Sequence, residues 1–151
     1  MNQVMEFMSK DHDRLDQLFS SFKAIKSEDF PQARRLFSEF KSRLTKHIRW
    51  EEELLFPRFE KESGLTGGGP TFVMKLEHRQ IQSLLEKFNN KLLTGEAKTD
   101  VEDDELVGLL TSHNFKEEKI LYPWIDRTLS EAERSEMIRK MEKDLPPKGK
   151  F

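Results

Sequence analysis

The sequence has 151 residues, which suits one domain with a single core. Its 26 basic and 28 acidic side chains nearly cancel and are interspersed, which argues against a nucleic-acid partner. It has no cysteine, which excludes disulfides, thiolate metal ligands and thiol nucleophiles. Because the first twenty residues lack an apolar signal segment and no run is long enough to cross a membrane, we expect a cytoplasmic protein with no membrane partner.

Four segments carry apolar residues at alternating steps of four and three, the spacing of a helix with one face in a core. The face of the first helix comprises Met8, His12, Leu15, Phe19 and Phe22. The second helix is predicted to begin after Asp29, a favourable N-cap, with Pro31 in its first turn. Its face comprises Ala33, Phe37, Phe40, Leu44, His47, Glu51 and Leu54.

The segment from Ser63 to Pro70 contains four glycines and is predicted to be a turn. The face of the third helix, which follows it, comprises Met74, His78, Ile81, Leu85, Phe88 and Leu92. The face of the fourth helix comprises Leu106, Leu110, His113, Glu117, Ile120 and Trp124. A short helix is predicted to start at Ser130, where Ser130 and Glu133 form a capping box.

These elements predict an all-α fold, an antiparallel up-down-up-down four-helix bundle over residues 1–128. Residues 129–151 are predicted to form a short C-terminal helix and a tail packed on the same domain. An internal repeat supports the bundle, because a shift of 66 residues aligns His12 with His78, His47 with His113 and Glu51 with Glu117. We therefore expect two similar helix pairs about a pseudo-twofold axis.

All four histidines of the chain lie on apolar faces, and two of them head the same pattern, His47-x-x-x-Glu51 and His113-x-x-x-Glu117. Residues four apart share one side of a helix, so each pair points into the core together. A buried carboxylate without a partner costs several kcal/mol, and no Lys or Arg is predicted beside these positions. A bound metal is the simplest compensation, whereas the alternative is a helical interaction module with buried neutral histidines.

Four imidazoles and two carboxylates suit two metal ions. By the repeat symmetry, His12 and His47 are assigned to one metal and His78 and His113 to the other, with Glu51 and Glu117 as bridges. This arrangement leaves a coordination position for dioxygen, nitric oxide or peroxide. The ligand types alone also suit manganese and zinc.

The six residues resemble the metal ligands of the hemerythrin-like, or HHE cation-binding, domain family, and the resemblance covers roughly residues 4 to 128. It implies a non-haem centre of two iron ions with an oxo or hydroxo bridge, held by His12, His47, Glu51, His78, His113 and Glu117. Oxygen-carrying members have a fifth histidine on the third helix, where this chain has Gln82 in one direction and Met74 in the other. The resemblance therefore disfavours reversible oxygen carriage.

The four-histidine, two-glutamate set is more similar to the branch linked to repair of iron–sulfur centres and to nitric oxide or peroxide chemistry. The repair proteins of that branch have an additional cysteine-bearing N-terminal segment. This sequence has no such segment, which argues against a full repair role. We expect a protein that binds, senses or reacts with a small oxidant in stress response or iron homeostasis. The alternatives are iron storage or delivery and catalase-like or nitric oxide reductase-like turnover with an electron-donor protein. The sequence leaves enzymatic activity and the oligomeric state open.

Other polar and aromatic residues near the pattern receive structural interpretations. Glu52, Glu53 and Glu118 are interpreted as solvated, with orientation of an imidazole as the alternative. The aromatic residues Trp50, Tyr122 and Trp124 are interpreted as core filler rather than as gates or electron carriers. Pro57 and Pro123 are expected to kink or end their helices.

Overall fold

A computed structural model describes residues 2–145, and the secondary structure in that range is helical. The α-helices in chain order are α1 (Gln3–Ile25), α2 (Phe30–Trp50), α3 (Phe56–Ser63), α4 (Pro70–Leu93), α5 (Asp100–Lys116), α6 (Tyr122–Thr128) and α7 (Glu131–Glu142). Helix α1 packs on α2, α2 on α4 and α4 on α5, whereas α6 and α7 pack against α1. The predicted all-α four-helix bundle with a short C-terminal helix is confirmed.

Two π-helical turns interrupt the long helices at matching places in the repeat. The turn Glu51–Leu55 joins α2 to α3, and the turn Glu117–Leu121 joins α5 to α6. A π turn accommodates an extra residue and so rotates the helix that follows it. It is also where a proline is tolerated, because the ordinary hydrogen-bond ladder is already interrupted, and Pro57 and Pro123 lie just after the two turns.

Because of this rotation, the apolar faces predicted for the ends of the second and fourth helices were wrong by one residue. Ile120, which was predicted inside, is 55% exposed, and Leu54 is only half-buried. The next residues, Leu55 and Leu121, are buried instead. The spacing rule fails here because it assumes an uninterrupted α-helix.

The predicted helix boundaries agree well with the structure. The Asp29 side chain accepts a hydrogen bond from the Gln32 backbone N–H and caps α2. Gly64 ends α3 with a left-handed backbone (φ 74°), which glycine adopts without steric cost. The capping box of Ser130 and Glu133 is present at the start of α7. Residues 146–151 of the predicted tail lie outside the described residues.

The apolar interior forms two clusters with a polar layer between them. The first cluster is rich in phenylalanine, and Phe37 stacks on Phe88 with ring centroids 4.5 Å apart. The second includes Met8 and Trp50, and α7 contributes Met137 and Met141 to it. Between the clusters lie the four histidines and their carboxylates. None of the helices in residues 2–145 combines the length and the apolarity that crossing a membrane requires.

Candidate metal centre

The structure brings all the sequence-predicted site residues together in the polar layer. They come from α1, α2, α4, α5 and the two π turns, and each is at most 4% exposed. This six-residue cluster comprises His12, His47, Glu51, His78, His113 and Glu117. Its ligand atoms form two groups, and within each group all the atoms lie within 4.8 Å of one another. One group comes from Glu51, His78, His113 and Glu117, and the other comes from His12, His47 and Glu117.

Each of the two buried glutamates faces one histidine from each half of the repeat. Glu117 Oε1 lies 3.1 Å from His12 Nε2, and Glu117 Oε2 lies 3.0 Å from His113 Nε2. Glu51 Oε1 lies 3.1 Å from His78 Nε2 and 3.8 Å from His47 Nε2. The two carboxylates thus span the two histidine pairs, whose ring centroids are 4.8 Å apart for His12 and His47 and 4.9 Å apart for His78 and His113.

Every histidine of the cluster also has a carboxylate on its outer ring nitrogen. His12 Nδ1 lies 2.6 Å from Glu118, and His78 Nδ1 lies 2.6 Å from Glu52. The other two outer contacts, both of 2.8 Å, join His47 Nδ1 to Asp11 and His113 Nδ1 to Glu77. An Nδ1–H that donates to a carboxylate orients the ring and leaves Nε2 free to coordinate a metal. These four orienting carboxylates are Asp11, Glu52, Glu77 and Glu118.

The interpretation of Glu52 and Glu118 as solvated side chains was wrong, because both contact a histidine, whereas Glu53 is exposed as predicted. Asp11 and Glu77 were missed altogether. The repeat contained the signal for all four, because Asp11 precedes His12 as Glu77 precedes His78, and Glu52 and Glu118 follow the two buried glutamates. Extending the 66-residue alignment to the neighbours of each candidate ligand identifies them.

A buried arginine lies close to the cluster, contrary to the prediction of no cation at a neighbouring core position. Arg43, one turn before His47, is 7% exposed and donates to Asp11 Oδ1 over 2.9 Å. It thereby pairs with an orienting carboxylate. Burial raises the pKa of Asp11, but the hydrogen bond from His47 and the charges of His47 and Arg43 outweigh that effect and keep the pKa below its ordinary value.

Tyr122 is buried in the apolar core as predicted, but its hydroxyl lies inside the six-residue cluster, which the sequence did not reveal. The oxygen is 2.7 Å from Glu51 Oε2, 2.8 Å from Glu117 Oε1 and 3.2 Å from His47 Nε2. The repeat partner of Tyr122 is Phe56, whose ring stacks on His78 at a centroid distance of 6.0 Å. A hydroxyl therefore enters the polar layer from one half only.

The short contacts of Tyr122 indicate where a proton resides. A phenol has one proton and donates to one carboxylate at a time, so the second short contact requires a proton on the other carboxylate. Burial and the neighbouring Glu117 carboxylate raise the pKa of Glu51. For Glu117, burial also acts to raise the pKa, but the charge of His113 and its hydrogen bonds lower it well below its ordinary value. The two pKa values thus shift in opposite directions, and a proton shared by the pair is held preferentially by Glu51.

The carboxylates also retain protons on the imidazoles. Burial lowers the pKa of His78, but the close Glu51 carboxylate and the hydrogen bond to Glu52 outweigh that effect and raise the pKa to about 10. Burial also lowers the pKa of His12, but the hydrogen bonds of His12 to Glu117 and Glu118 outweigh that effect and raise the pKa to about 9. A metal ion that binds Nε2 of these rings has to displace their protons, so metal affinity is expected to rise with pH.

The cluster has unfilled bonding capacity at its centre. Among the residues that the structure describes, Glu51 Oε1, Glu117 Oε2 and His78 Nε2 are buried atoms without a hydrogen bond. Glu51 Oε1 and His78 Nε2 are 3.1 Å apart, within ion-pair range, but their geometry is not that of a hydrogen bond. Buried polar atoms are rarely left without a partner, and a metal ion would bind all three. The donor set of imidazole nitrogens and carboxylate oxygens therefore fits metal binding.

Comparison with known proteins gives independent information on the chain. A family model described as the hemerythrin HHE cation-binding domain matches residues 3–125, a range that contains the whole six-residue cluster. An uncharacterized hemerythrin-like protein from Schizosaccharomyces pombe is 27% identical over 143 residues, which cover 95% of this chain and 69% of that relative. No solved structure matches the chain.

Proposed function

Because the chain belongs to the hemerythrin HHE cation-binding family, we propose that its six-residue cluster holds two iron ions and that this centre binds a small oxidant. His12 and His47 hold one iron, and His78 and His113 hold the other. Glu51 and Glu117 bridge the two. The family supports a metal-binding domain, and the choice of iron over manganese or zinc rests on the family rather than on the ligand types.

The observation that carries the proposal is the position of Glu51 and Glu117 between the two histidine pairs. Each carboxylate contacts an imidazole from both halves of the bundle, as a bridging ligand requires. Three buried atoms in the same layer have no hydrogen bond among the described residues. Metal binding accounts for both features, whereas buried neutral histidines in an interaction module account for neither.

The protein side chains prepare the site in ways that can be stated residue by residue. The four orienting carboxylates hold each Nδ1–H, so that every Nε2 faces the centre. The Tyr122 hydroxyl contacts both central carboxylates, donates its proton to one of them at a time and occupies that side of the layer. The phenylalanine cluster on one side and the methionine-containing cluster on the other shield the layer in these two directions. Bound iron supplies Lewis acidity and one-electron redox chemistry.

The third long helix, α4, lacks a second histidine one turn from His78, and this favours an oxidant as an additional ligand. Gln82, one turn beyond His78 on α4, accepts a hydrogen bond from Arg79 at the surface. Met74, one turn before His78, is buried in the apolar cluster and offers no nitrogen ligand. With four histidines and two shared carboxylates, two iron ions retain a coordination position that dioxygen, nitric oxide or peroxide fits.

Anaerobic reconstitution tests the proposal. The metal-free protein is loaded with ferrous iron, desalted and measured by elemental analysis, and it is then exposed to air while its absorption spectrum is recorded. We expect about two iron ions per chain, by ligand count, and new near-ultraviolet bands on exposure to air. The matched control is Glu53→Ala, an exposed residue beside the cluster, which should retain its iron, whereas His47→Ala should not. Less than one iron per chain in the unmodified protein would refute the proposed centre.

A further inference from the structure

A cavity between α1 and α5 reaches one edge of the six-residue cluster. Its volume is about 580 Å³, and the residues that line it include His12 and the orienting carboxylate Glu118. We call it the α1/α5 cavity. The Glu118 side chain is 36% exposed and lies 2.6 Å from His12 Nδ1, so the ring and its orienting carboxylate both border the cavity.

The repeat supplies an internal comparison, because the equivalent surface of the other half lies between α2 and α4. The cavity there, the α2/α4 groove, has a volume of about 410 Å³ and is lined by neither His78 nor Glu52. Arg79, at the repeat position of Asp13, forms an ion pair with Glu52, and the Glu52 side chain is 21% exposed. The two halves of the cluster thus differ in their access to solvent.

The two surfaces also differ in the size of a side chain next to the histidines. Asn114 lines the α1/α5 cavity and is half-buried, whereas its repeat partner Ile48 is 3% exposed and belongs to the apolar core. The larger, branched side chain of Ile48 is packed in the apolar core at the repeat position where Asn114 borders the cavity.

The two surfaces also differ in charge. The α1/α5 cavity is lined by three acidic side chains, Asp13, Asp16 and Glu118, which outnumber its two basic ones, Lys23 and His12. The charged residues that line the α2/α4 groove are all basic, and they are Lys41, Lys46 and Arg49. A cavity lined by one sign of charge concentrates ions of the opposite sign and raises their rate of association. The field therefore favours a cation at the first surface and disfavours it at the second.

We propose that ferrous iron reaches the candidate centre through the α1/α5 cavity, where Asp13, Asp16 and Glu118 attract the hydrated ion before it passes to His12. This inference rests on the proposed iron centre and adds a direction to it: both ions enter from the His12 side. The α2/α4 groove is closed to them by Ile48, by the pair of Arg79 with Glu52, and by its positive charge.

A matched pair of blocking variants tests the route. Thr111 lines the α1/α5 cavity and its repeat partner Thr45 lines the α2/α4 groove, and both are exposed. Metal-free Thr111→Trp and Thr45→Trp are mixed anaerobically with ferrous iron, quenched with a chelator at intervals, desalted and analysed for bound iron. We expect Thr111→Trp to load about tenfold more slowly and Thr45→Trp to load at the unmodified rate, with the same final iron content in both.

A charge variant tests the electrostatic part and does not depend on the bulky substitution. The double variant Asp13→Asn with Asp16→Asn should load several-fold more slowly in low salt, and the difference should shrink in high salt. Its control, Asp104→Asn with Glu105→Gln, removes the same charge from exposed positions outside the cavity and should load normally.

The outcomes separate the two proposals. Equal loading rates for the two tryptophan variants, together with a full final iron content, would overturn the route and leave the centre standing. Slower loading in Thr45→Trp alone would reverse the direction and also overturn it. An unmodified protein that takes up no iron would overturn the centre and the route together.

Discussion

The half of the bundle built from α1, α2 and α3 and the half built from α4, α5 and α6 offer the same polar groups but different aromatic side chains. Each half contributes two histidines, one central glutamate and two orienting carboxylates. Tyr122 places a hydroxyl among the carboxylates, whereas Phe56 at the equivalent position stacks its ring on His78. The repeat thus retains the polar groups of the proposed metal centre in both halves, while the remaining surroundings of those groups differ.

The largest expected effect concerns the two central glutamates, which test whether the two halves of the bundle share their metal ligands. If Glu51 and Glu117 are shared by both metals, Glu51→Ala and Glu117→Ala should each reduce the bound iron from about two to less than one per chain, because each substitution removes a ligand from both ions. Elemental analysis after anaerobic loading measures this. Retention of one full equivalent in either variant would show that the halves bind metal independently.

Substitution of an orienting carboxylate should lower the free energy of unfolding by different amounts in the two halves. Asp11 is 1% exposed and bonds both His47 and Arg43, so Asp11→Asn should cost the metal-free protein about 3–5 kcal/mol. The Glu77 side chain is 19% exposed and pairs with Lys116, so Glu77→Gln should cost about 1 kcal/mol or less. Urea unfolding of the two metal-free variants measures the free energies. Equal losses would contradict the asymmetry in burial.

Both of these variants should also bind iron more weakly. Loss of an outer partner of a metal-bound histidine typically lowers metal affinity by about 10- to 100-fold. Competition with a chelator of known affinity measures the change, and Glu53→Ala again serves as the control with unchanged affinity. A wild-type affinity in both variants would show that these carboxylates do not orient the imidazoles.

The smallest expected effect concerns the aromatic pair. Tyr122→Phe makes the two halves alike and removes a hydroxyl that bonds buried carboxylates, so the metal-free protein should lose about 1.5–3 kcal/mol of stability. The loss should be smaller with iron bound, because the metals then neutralise Glu51 and Glu117. Thermal or urea unfolding with and without iron distinguishes the two cases. An equal loss in both states would show that Tyr122 acts only through packing.

Particular residues show how far sequence analysis reached. His12, His47, His78 and His113 were predicted to share one layer because each lies on an apolar helical face, and they do. The glutamates followed from their spacing of four residues after a histidine. Ile120 was placed wrongly, because a π turn interrupts the helical periodicity and nothing in the local sequence pattern indicated it.

The sequence by itself determined the all-helical fold, the repeat and the convergence of six polar side chains, because periodicity and repetition are properties of the chain order. Only the tertiary structure decided that Asp11 contacts a histidine on another helix, that the Tyr122 hydroxyl enters the cluster, and that a cavity borders one edge of the layer. The physical reason is that these features depend on how helices face one another. Contacts between residues distant in sequence leave no periodic trace within either helix.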